Sequence, residues 1–332
     1  MLGEGGAVRT ETLTYPSADG RSTVRALVWA PASSGSAAPR GVVQLVHGMS
    51  EHAERYASFA EALCTAGYLV CANDHVGHGR TAAATCDLGH IPLAGGVDIL
   101  LADVHALRSR VIGHLRAQGV SARIPYIFFG HSLGSFIVRV YLTQHVEGVS
   151  AAVVCGTGQQ PPALARAGNA LCRVLARLRG EHFRSRLIHE LVVGAYGRAI
   201  KGARTPYDWL STDPAVVEAY RRDPLCGQMF TVGGYAAVAE LAATSQRRNL
   251  ARRIPCGLPL LLIAGSNDPV GDCGRGVHAA AKQYRDLGMV HVDEMIYQGM
   301  RHEVLNEPGR AKVYRDVLAW FDAVLGNADG AR

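Results

Sequence analysis

Short apolar runs alternate with segments of helical periodicity over most of the chain. Two strand patterns come first, Arg9–Tyr15 and Arg21–Ala30, joined by the turn residues Ser17-Ala18-Asp19-Gly20, and the stretch Pro31–Gly41 has the composition of a surface loop. Apolar runs typical of buried strands then alternate with amphipathic segments typical of helices. The predicted strands are Val42–Val46, Tyr68–Ala72, Ile124–Phe129, Val149–Cys155, Leu258–Ala264 and Val290–Ile296, and the predicted helices are about His52–Ala66, Val97–Gln118, Leu133–His145, Cys273–Leu287 and Glu307–Leu325.

This alternation predicts an α/β fold with a mostly parallel sheet covered by helices on both faces. The strand signal stops between residues 156 and 253, where only helical patterns broken by glycine and proline occur. We therefore expect a core formed by residues 1–155 and 254–332, with residues 156–253 inserted as a helical cap.

Composition narrows the class of protein. The chain has 332 residues, 48% hydrophobic and 19% charged, with a formal net charge of +6. These values are typical of a globular protein, and no basic–aromatic repeat supports nucleic-acid binding. The first residues lack a secretory pattern, no apolar run is long enough to span a bilayer, and the 8 cysteines form no CxxC pair. We expect a soluble cytoplasmic protein with free thiols.

The motif Gly130-His131-Ser132-Leu133-Gly134 carries the first chemical signal. It follows the strand pattern IPYIFF and precedes the helix pattern SFIVRVYLTQH. A serine at a sharp strand-to-helix bend needs small neighbours, because its backbone is strained and its hydroxyl must stay exposed. A glycine-rich turn with an incidental serine is the alternative. The context favours Ser132 as a nucleophile.

A serine hydroxyl needs a base that takes its proton, and the base needs an acid that orients it. With the order serine, acid, histidine, the acid follows the strand Leu258–Ala264, where Asp268 is the candidate and Asp272 the alternative. The histidine follows the next strand, where His302 is placed correctly. His291 lies at the other end of that strand, and His278 lies within a helix.

The same chemistry requires two backbone donors for an oxyanion. One is the N–H of Leu133, at the start of a predicted helix. The other is the N–H of Met49, in the loop His47-Gly48-Met49-Ser50 that follows the strand Val42–Val46. An ordinary glycine-containing loop is the alternative interpretation of this segment.

Five segments in order, HGMSEHAERY, NDHVGHGRT, GHSLGS, LIAGSNDPVG and GMRHEVLNE, resemble the monoglyceride lipase and lysophospholipase-like group of α/β hydrolases, also described as serine aminopeptidase-like. The resemblance spans about His47 to Glu307. It implies the α/β-hydrolase fold, a triad of Ser132, Asp268 and His302, an oxyanion hole of Met49 and Leu133, and a cap over an acyl pocket. The chain departs from the pattern at Ala82-Ala83-Ala84, where these lipases usually have serine and glycine.

Several further conspicuous residues are expected to have structural roles. Glu51 and Arg55 are spaced i,i+4, next to His52 at the start of a predicted helix, as in exposed helix pairs. Asp74, His75 and His78 resemble metal ligands, but they lie in a turn whose role the resemblance assigns to loop shape. We expect no metal and no cofactor.

In the predicted cap helix Ala163–Arg179, apolar and basic residues occupy different faces. The apolar set is Leu164, Leu171, Leu175 and Leu178, and the basic set is Arg166, Arg173 and Arg177. Such a helix could lie on an anionic membrane. The interpretation that the sequence favours is a helix packed over the pocket with its arginines in solvent.

The leading hypothesis is hydrolysis of a small-molecule carboxylic ester, such as a monoacylglycerol or a lysophospholipid-like lipid. One alternative is an amidase, peptidase or acyltransferase that uses the same triad, and another is a binding protein without catalysis on the same fold. Both expected reactive residues, Ser132 and His302, are present.

Overall fold

The structure, a computed structural model, describes residues 8–31, 38–121 and 123–329. Its eight strands are β1 (Arg9–Pro16), β2 (Thr23–Ala30), β3 (Val42–Val46), β4 (Leu69–Asn73), β5 (Tyr126–His131), β6 (Ala151–Cys155), β7 (Leu260–Gly265) and β8 (Val292–Tyr297). The helices that cover them are α1 (Ala57–Thr65), α2 (Gly96–Ala117), α3 (Leu133–Tyr141), α10 (Arg275–Asp286) and α11 (Arg310–Asp329). Most of the predicted loop Pro31–Gly41 lies outside the described residues.

The strands form one sheet in the order β1-β2-β4-β3-β5-β6-β7-β8. The pairs β1–β2 and β2–β4 are antiparallel, and every later pair is parallel. This is the predicted α/β-hydrolase architecture. It sets the carboxyl ends of β3, β5, β7 and β8 along one edge of the sheet.

The central strands are buried on both faces. In β5, Tyr126 and Phe128 pack into one apolar cluster, whereas Ile127 and Phe129 pack into the cluster on the other face. A strand covered on both sides has no solvent-facing side, which is why β3, β4, β5, β6 and β7 appear in the sequence as nearly continuous apolar runs.

Several element boundaries differ from the prediction. β5 continues through Gly130 and His131, because these residues pair with Val154 and Cys155 of β6. The predicted helix His52–Ala66 consists of a 3₁₀ turn, Ala53–Tyr56, followed by α1. The other core strands begin within about two residues of the expected positions.

The segment between β6 and β7 is helical in the structure. Its helices are α4 (Pro162–Arg179), α5 (Arg186–His189), α6 (Ala195–Arg198), α7 (Pro214–Arg222), α8 (Val232–Ser245) and α9 (Arg248–Ala251), with a π-helical turn at Glu190–Gly194. Helix α8 packs against α3 of the core and against α4. Among the described residues, no helix combines the length and apolarity that crossing a bilayer requires.

The side chain of Arg139 joins the core to this helical segment. Arg139 lies on α3 and is 1% exposed. Its guanidinium donates to Thr157 Oγ1 and Gly158 O after β6, and to the carbonyl of Ser245 at the end of α8. It also donates to Gln159 and Tyr284. Because its donors meet neutral acceptors, hydrogen bonds alone compensate the charge that is removed from water.

We expect Arg139→Met to lower the free energy of unfolding by about 2–4 kcal/mol, because buried acceptors on several segments lose a charged donor. Urea denaturation measures the change. Arg116→Met is the control, since Arg116 lies on an exposed face of α2. Equal stability of the two variants would contradict the role assigned to Arg139.

Candidate active site

Ser132 stands at a strained bend between β5 and α3. Its backbone has φ 53° and ψ −117°, a left-handed conformation that is costly for a residue with a side chain. Hydrogen bonds hold the bend on both sides. Ser132 N donates to Cys155 O, and Ser135 N donates to Ser132 O, both at 2.9 Å. The predicted strand-to-helix bend is therefore present.

Gly134 allows α3 to begin directly against the end of β3. A Cβ on this residue would lie 1.9 Å from the carbonyl oxygen of Val46. Any side chain here would push the helix away from the loop that follows β3. The second glycine of the motif thus brings Ser132 next to the segment Gly48–Met49.

His302 and Asp268 form a buried pair beyond β8 and β7. His302 Nδ1 lies 2.9 Å from Asp268 Oδ2, and both side chains are almost completely enclosed. The other carboxylate oxygen accepts from Val270 N at 2.9 Å, which fixes the carboxylate plane. The two residues that the sequence selected from distant segments are therefore in contact.

The electrostatics of this pair favour a charged imidazole. Burial lowers the pKa of His302, but the Asp268 carboxylate more than offsets burial, so its pKa lies above the ordinary value of 6.5. The neighbouring His131, 4.7 Å from His302 between ring centroids, behaves differently. Burial and His302 lower the pKa of His131 to about 4, which leaves it neutral.

The imidazole of His302 reaches across the end of β6. A Cβ on Gly156, the residue after β6, would lie 2.9 Å from His302 Cε1. The absence of a side chain at this position makes room for the ring between β8 and β5. His302 Nε2 is buried and has no hydrogen-bond partner among the described residues, and His302 lines the same pocket as Ser132.

The alternative residues lie elsewhere. Asp272 is exposed and forms an ion pair with Arg275. His278 pairs with Glu294 on the outer surface of α10 and β8, and His291 is exposed just before β8. Among these described residues, His302 lines the pocket of Ser132, and Asp268 is the carboxylate that contacts His302.

Met49 and Leu133, the proposed oxyanion donors, both line this pocket. The amide before Met49, Gly48 N, is already occupied, because it donates to Glu51 Oε1 at 2.6 Å. Leu133 is the first residue of α3, so its amide belongs to the positive end of the helix.

A buried ion trio connects the two loops of the site. Arg55 Nη1 lies 2.7 Å from Glu51 Oε2, and both Arg55 nitrogens donate to Glu303 at 2.7 Å. Glu51 holds the turn at Gly48, and Glu303 directly follows His302. Burial raises the pKa of Glu303, but Arg55 more than offsets this, so the pKa lies below its usual value. The Glu51–Arg55 pairing is as predicted, but the pair is buried rather than exposed.

The helical segment between β6 and β7, the predicted cap, supplies residues that no sequence motif identified. The Trp209 ring lies 5.0 Å from that of His302, and the carbonyl of Trp209 accepts from His302 N at 3.3 Å. The Leu210 carbonyl accepts from Glu303 N at 2.7 Å. No motif marks Trp209 or Leu210. Glu303 could have been identified from the sequence, because it directly follows His302.

The cluster of Asp74, His75 and His78 shapes the loop after β4. Asp74 accepts from Ala53 N and Arg80 N, each at 2.8 Å. His75 lies 4.0 Å from His47 between ring centroids. Burial lowers the pKa of His75 to about 3 and that of His78 to about 4, so both rings are neutral. Through His75, which hydrogen-bonds to His47, this cluster contacts the start of the loop that contains Met49.

The pocket itself is mostly apolar on the cap side. Its cap residues include Val192, Val193, Tyr196, Tyr207, Trp209, Leu210 and Val238. The two carboxylates at its wall, Glu51 and Glu303, are both paired with Arg55. An apolar wall beside a few polar groups is typical of a site for a small molecule with a hydrocarbon part.

Comparison with known proteins places this arrangement in a family. A monoacylglycerol lipase of Mycolicibacterium smegmatis is 32% identical over 303 residues, which cover 89% of this chain and 91% of the relative. A carboxyl esterase structure from Bacillus coagulans, in complex with glycerol, superposes with a TM-score of 0.84 at 30% identity, covering 95% of this chain and 98% of that one. A monoglyceride lipase structure from Saccharomyces cerevisiae has a TM-score of 0.73 at 17% identity, with coverage of 95% and 94%, and supports the fold alone.

The profile of the family described as serine aminopeptidase, S33, matches residues 37–309. That match covers most of the chain, including all three residues of the candidate triad. The chain therefore belongs to the serine aminopeptidase S33 family of α/β hydrolases.

Proposed function

We propose that this protein is a serine esterase that cleaves monoacylglycerols or similar single-chain lipid esters through an acyl-enzyme on Ser132. The chain is an ester hydrolase of the lipase and esterase kind, as its relatives indicate. The proposal of an acyl-enzyme rests on the environment of the two ring nitrogens of His302. Its Nδ1 is bound to Asp268, while its buried Nε2 is unpartnered in the pocket that Ser132 lines.

In this proposal each residue has one role. Ser132 Oγ attacks the ester carbonyl while His302 Nε2 takes its proton, and Asp268 stabilises the imidazolium that forms. The N–H groups of Met49 and Leu133 bind the oxyanion. His302 then gives the proton to the leaving alcohol. Water, activated by the same imidazole, releases the fatty acid.

The residues that line the pocket favour an ester with a hydrocarbon chain as the substrate, rather than a peptide with a free amino terminus. Binding an ammonium group in a buried site requires an unpaired carboxylate. Among the described lining residues, Glu51 and Glu303 are the carboxylates, and Arg55 neutralises part of their charge while holding both in place. Aminopeptidase activity, which the family description suggests, has no such support here.

The outer face of the cap supports contact with a lipid surface. Helix α4 buries Cys172 and Ala176, whereas Leu164, Leu171, Val174 and Leu178 are 40–73% exposed. The interpretation that the sequence favours is a helix packed over the pocket with its arginines in solvent. The arginines of α4 are exposed, but none of its residues lines the pocket, and Leu164, Leu171 and Leu178 are exposed as well. Leu175 alone is half-buried.

Exposed apolar residues also occur after α4, next in sequence to residues that line the pocket. Leu187 and Leu191 are 64% and 61% exposed, while Val192 and Val193 of the same segment line the pocket. Arg166 and Arg177 are exposed on α4. We therefore propose that the cap rests on an anionic bilayer and that the acyl chain of the substrate enters from it.

Ser132→Ala should abolish labelling by a fluorophosphonate and lower kcat by roughly 10⁵–10⁶-fold, because the nucleophile is lost. p-Nitrophenyl esters from acetate to palmitate should show an optimum at a longer chain, which the apolar pocket would bind. Ser121→Ala is the control, since Ser121 precedes β5 at the opposite end of the strand. A folded wild-type chain that takes no label would refute the acyl-enzyme.

The pH profile should report His302. Because the imidazole must be neutral to act as a base and its pKa is raised, kcat/KM should rise with pH and its inflection should lie above 6.5. In Asp268→Asn the carboxylate is gone and burial remains, so the inflection should move to lower pH while kcat falls by about 10³–10⁴-fold. Asp272→Asn is the control. A similar loss in that variant would contradict the assignment of Asp268.

Vesicle co-sedimentation tests the lipid surface. The chain should bind vesicles of phosphatidylglycerol more tightly than those of phosphatidylcholine, and added salt should weaken binding. Leu178→Glu should reduce binding by about tenfold or more, because a leucine no longer enters the bilayer. Val290→Glu is the control, since Val290 is 69% exposed outside the cap. Equal binding to both lipids, or equal loss in both variants, would refute the proposal.

A further inference from the structure

Two histidines from distant parts of the chain stack where the core meets the helical cap. His90 lies in the loop between β4 and α2, and His182 follows α4. Their ring centroids are 3.7 Å apart and their planes differ by 18°. Glu181 lies beside them, and one ligand atom each from His90, Glu181 and His182 lie within 4.8 Å of one another.

We propose that His90, Glu181 and His182 bind one divalent transition-metal ion, with Zn²⁺ as the best match. Two imidazole nitrogens and one carboxylate oxygen form a donor set that zinc takes in proteins, with water in the fourth position. This site lies outside the pocket of Ser132, and none of its three residues lines that pocket. It is independent of the proposed esterase activity.

Neighbouring groups hold two of the ligands in place. His90 Nδ1 lies 3.1 Å from Thr231 Oγ1, and no residue in the described part of the chain bonds its Nε2. Glu181 Oε2 accepts from Leu93 N at 2.8 Å. Metal-binding histidines and carboxylates commonly have such an outer contact, because it fixes the orientation of the ligand.

The remaining ligand can adjust. Tetrahedral zinc with bonds of about 2.0–2.1 Å places ligand atoms roughly 3.4 Å apart, so the observed spacing must shorten by little more than ~1 Å. The side chain of His182 is 51% exposed, which leaves it free to turn and gives an ion access from solvent. Asp87 Oδ1 lies 4.0 Å from His182 Nδ1, so the two atoms would have to approach by about 1 Å as the ring turns before Asp87 could accept from the nitrogen that does not bind the ion.

The surrounding charge is compatible with a cation. Arg184 is the nearby positive group, and its guanidinium donates to the carbonyls of Met229, Cys86 and Leu88. Glu181 and Asp87 supply negative charge close to the two histidines. A bound ion would join the core loop of His90 to the first turn after α4 and would stabilise the position of the cap.

A second cluster, His52, Asp223 and Cys226, has similar residue types. There His52 Nε2 already lies 2.8 Å from Asp223 Oδ2, and His52 and Cys226 are both buried. A direct histidine–carboxylate contact accounts for that arrangement without an ion. It is the rival site that the experiment must exclude.

The test uses the full chain without a polyhistidine tag, titrated with ZnCl₂ against a chromophoric chelator. We expect one Zn²⁺ per chain with micromolar or tighter affinity, and a rise in Tm when zinc is added. His182→Gln should weaken binding by about tenfold or more and remove the Tm rise. Because His182 is half exposed, this variant should fold normally.

Two control variants distinguish this site from an exposed surface histidine and from the rival cluster. His278→Gln removes an exposed histidine that faces Glu294 at 3.2 Å, and Cys226→Ser disables the rival cluster. Both should bind zinc like the wild type. Cobalt should give visible d–d bands that disappear in His182→Gln alone. Millimolar affinity of the wild type, unchanged affinity in His182→Gln, or loss in Cys226→Ser would overturn the proposal.

Discussion

The buried guanidinium of Arg55 joins the two loops on which the proposed chemistry depends. One carboxylate that it binds, Glu51, fixes the turn before Met49, and the other, Glu303, belongs to the loop of His302. Charges removed from water are costly unless they are paired and fully hydrogen-bonded. Tyr56 donates to Glu51 and Asn306 donates to Glu303, so each of the two carboxylates accepts three hydrogen bonds in all. Any separation of the loops would leave a charge buried without a partner.

Parallel-sheet topology explains why the sequence located the candidate triad. The carboxyl ends of successive parallel strands lie along one edge, so position relative to a strand favours His302 over His278 and limits the acid to Asp268 or Asp272. The contact of Asp268 with His302 distinguishes the two aspartates only in the structure. The same logic cannot find the Arg55–Glu303 ion pair, because the two residues are 248 positions apart and no rule of spacing links one to the other. The i,i+4 rule suggested the Glu51–Arg55 contact, but it contains no information about burial.

The cap shows a second limit of sequence patterns. Periodicity identifies the faces of α4, but it does not say which face has a partner. The helix packs against α8 through small or polar residues, among them Cys172, Ala176 and Asn169, whose side chain donates to the Ala236 carbonyl. Small residues allow two helices to approach closely, and the leucines are left on the opposite side. The leucine-rich face of α4, which is the more apolar one in the sequence, is therefore the face that has no partner helix.

The backbone contacts of Trp209 and Leu210 bear on the redesign of this enzyme. A simple way to change the substrate range would be to replace the cap with that of a relative. This strategy assumes that the cap and the core are structurally independent. Here, however, the carbonyls that receive the N–H groups of His302 and Glu303 belong to the cap. A chimera that replaced them would also release the segment that carries the imidazole. New specificity would have to be built around residues 209–210, with those two peptide groups retained as part of the reaction centre.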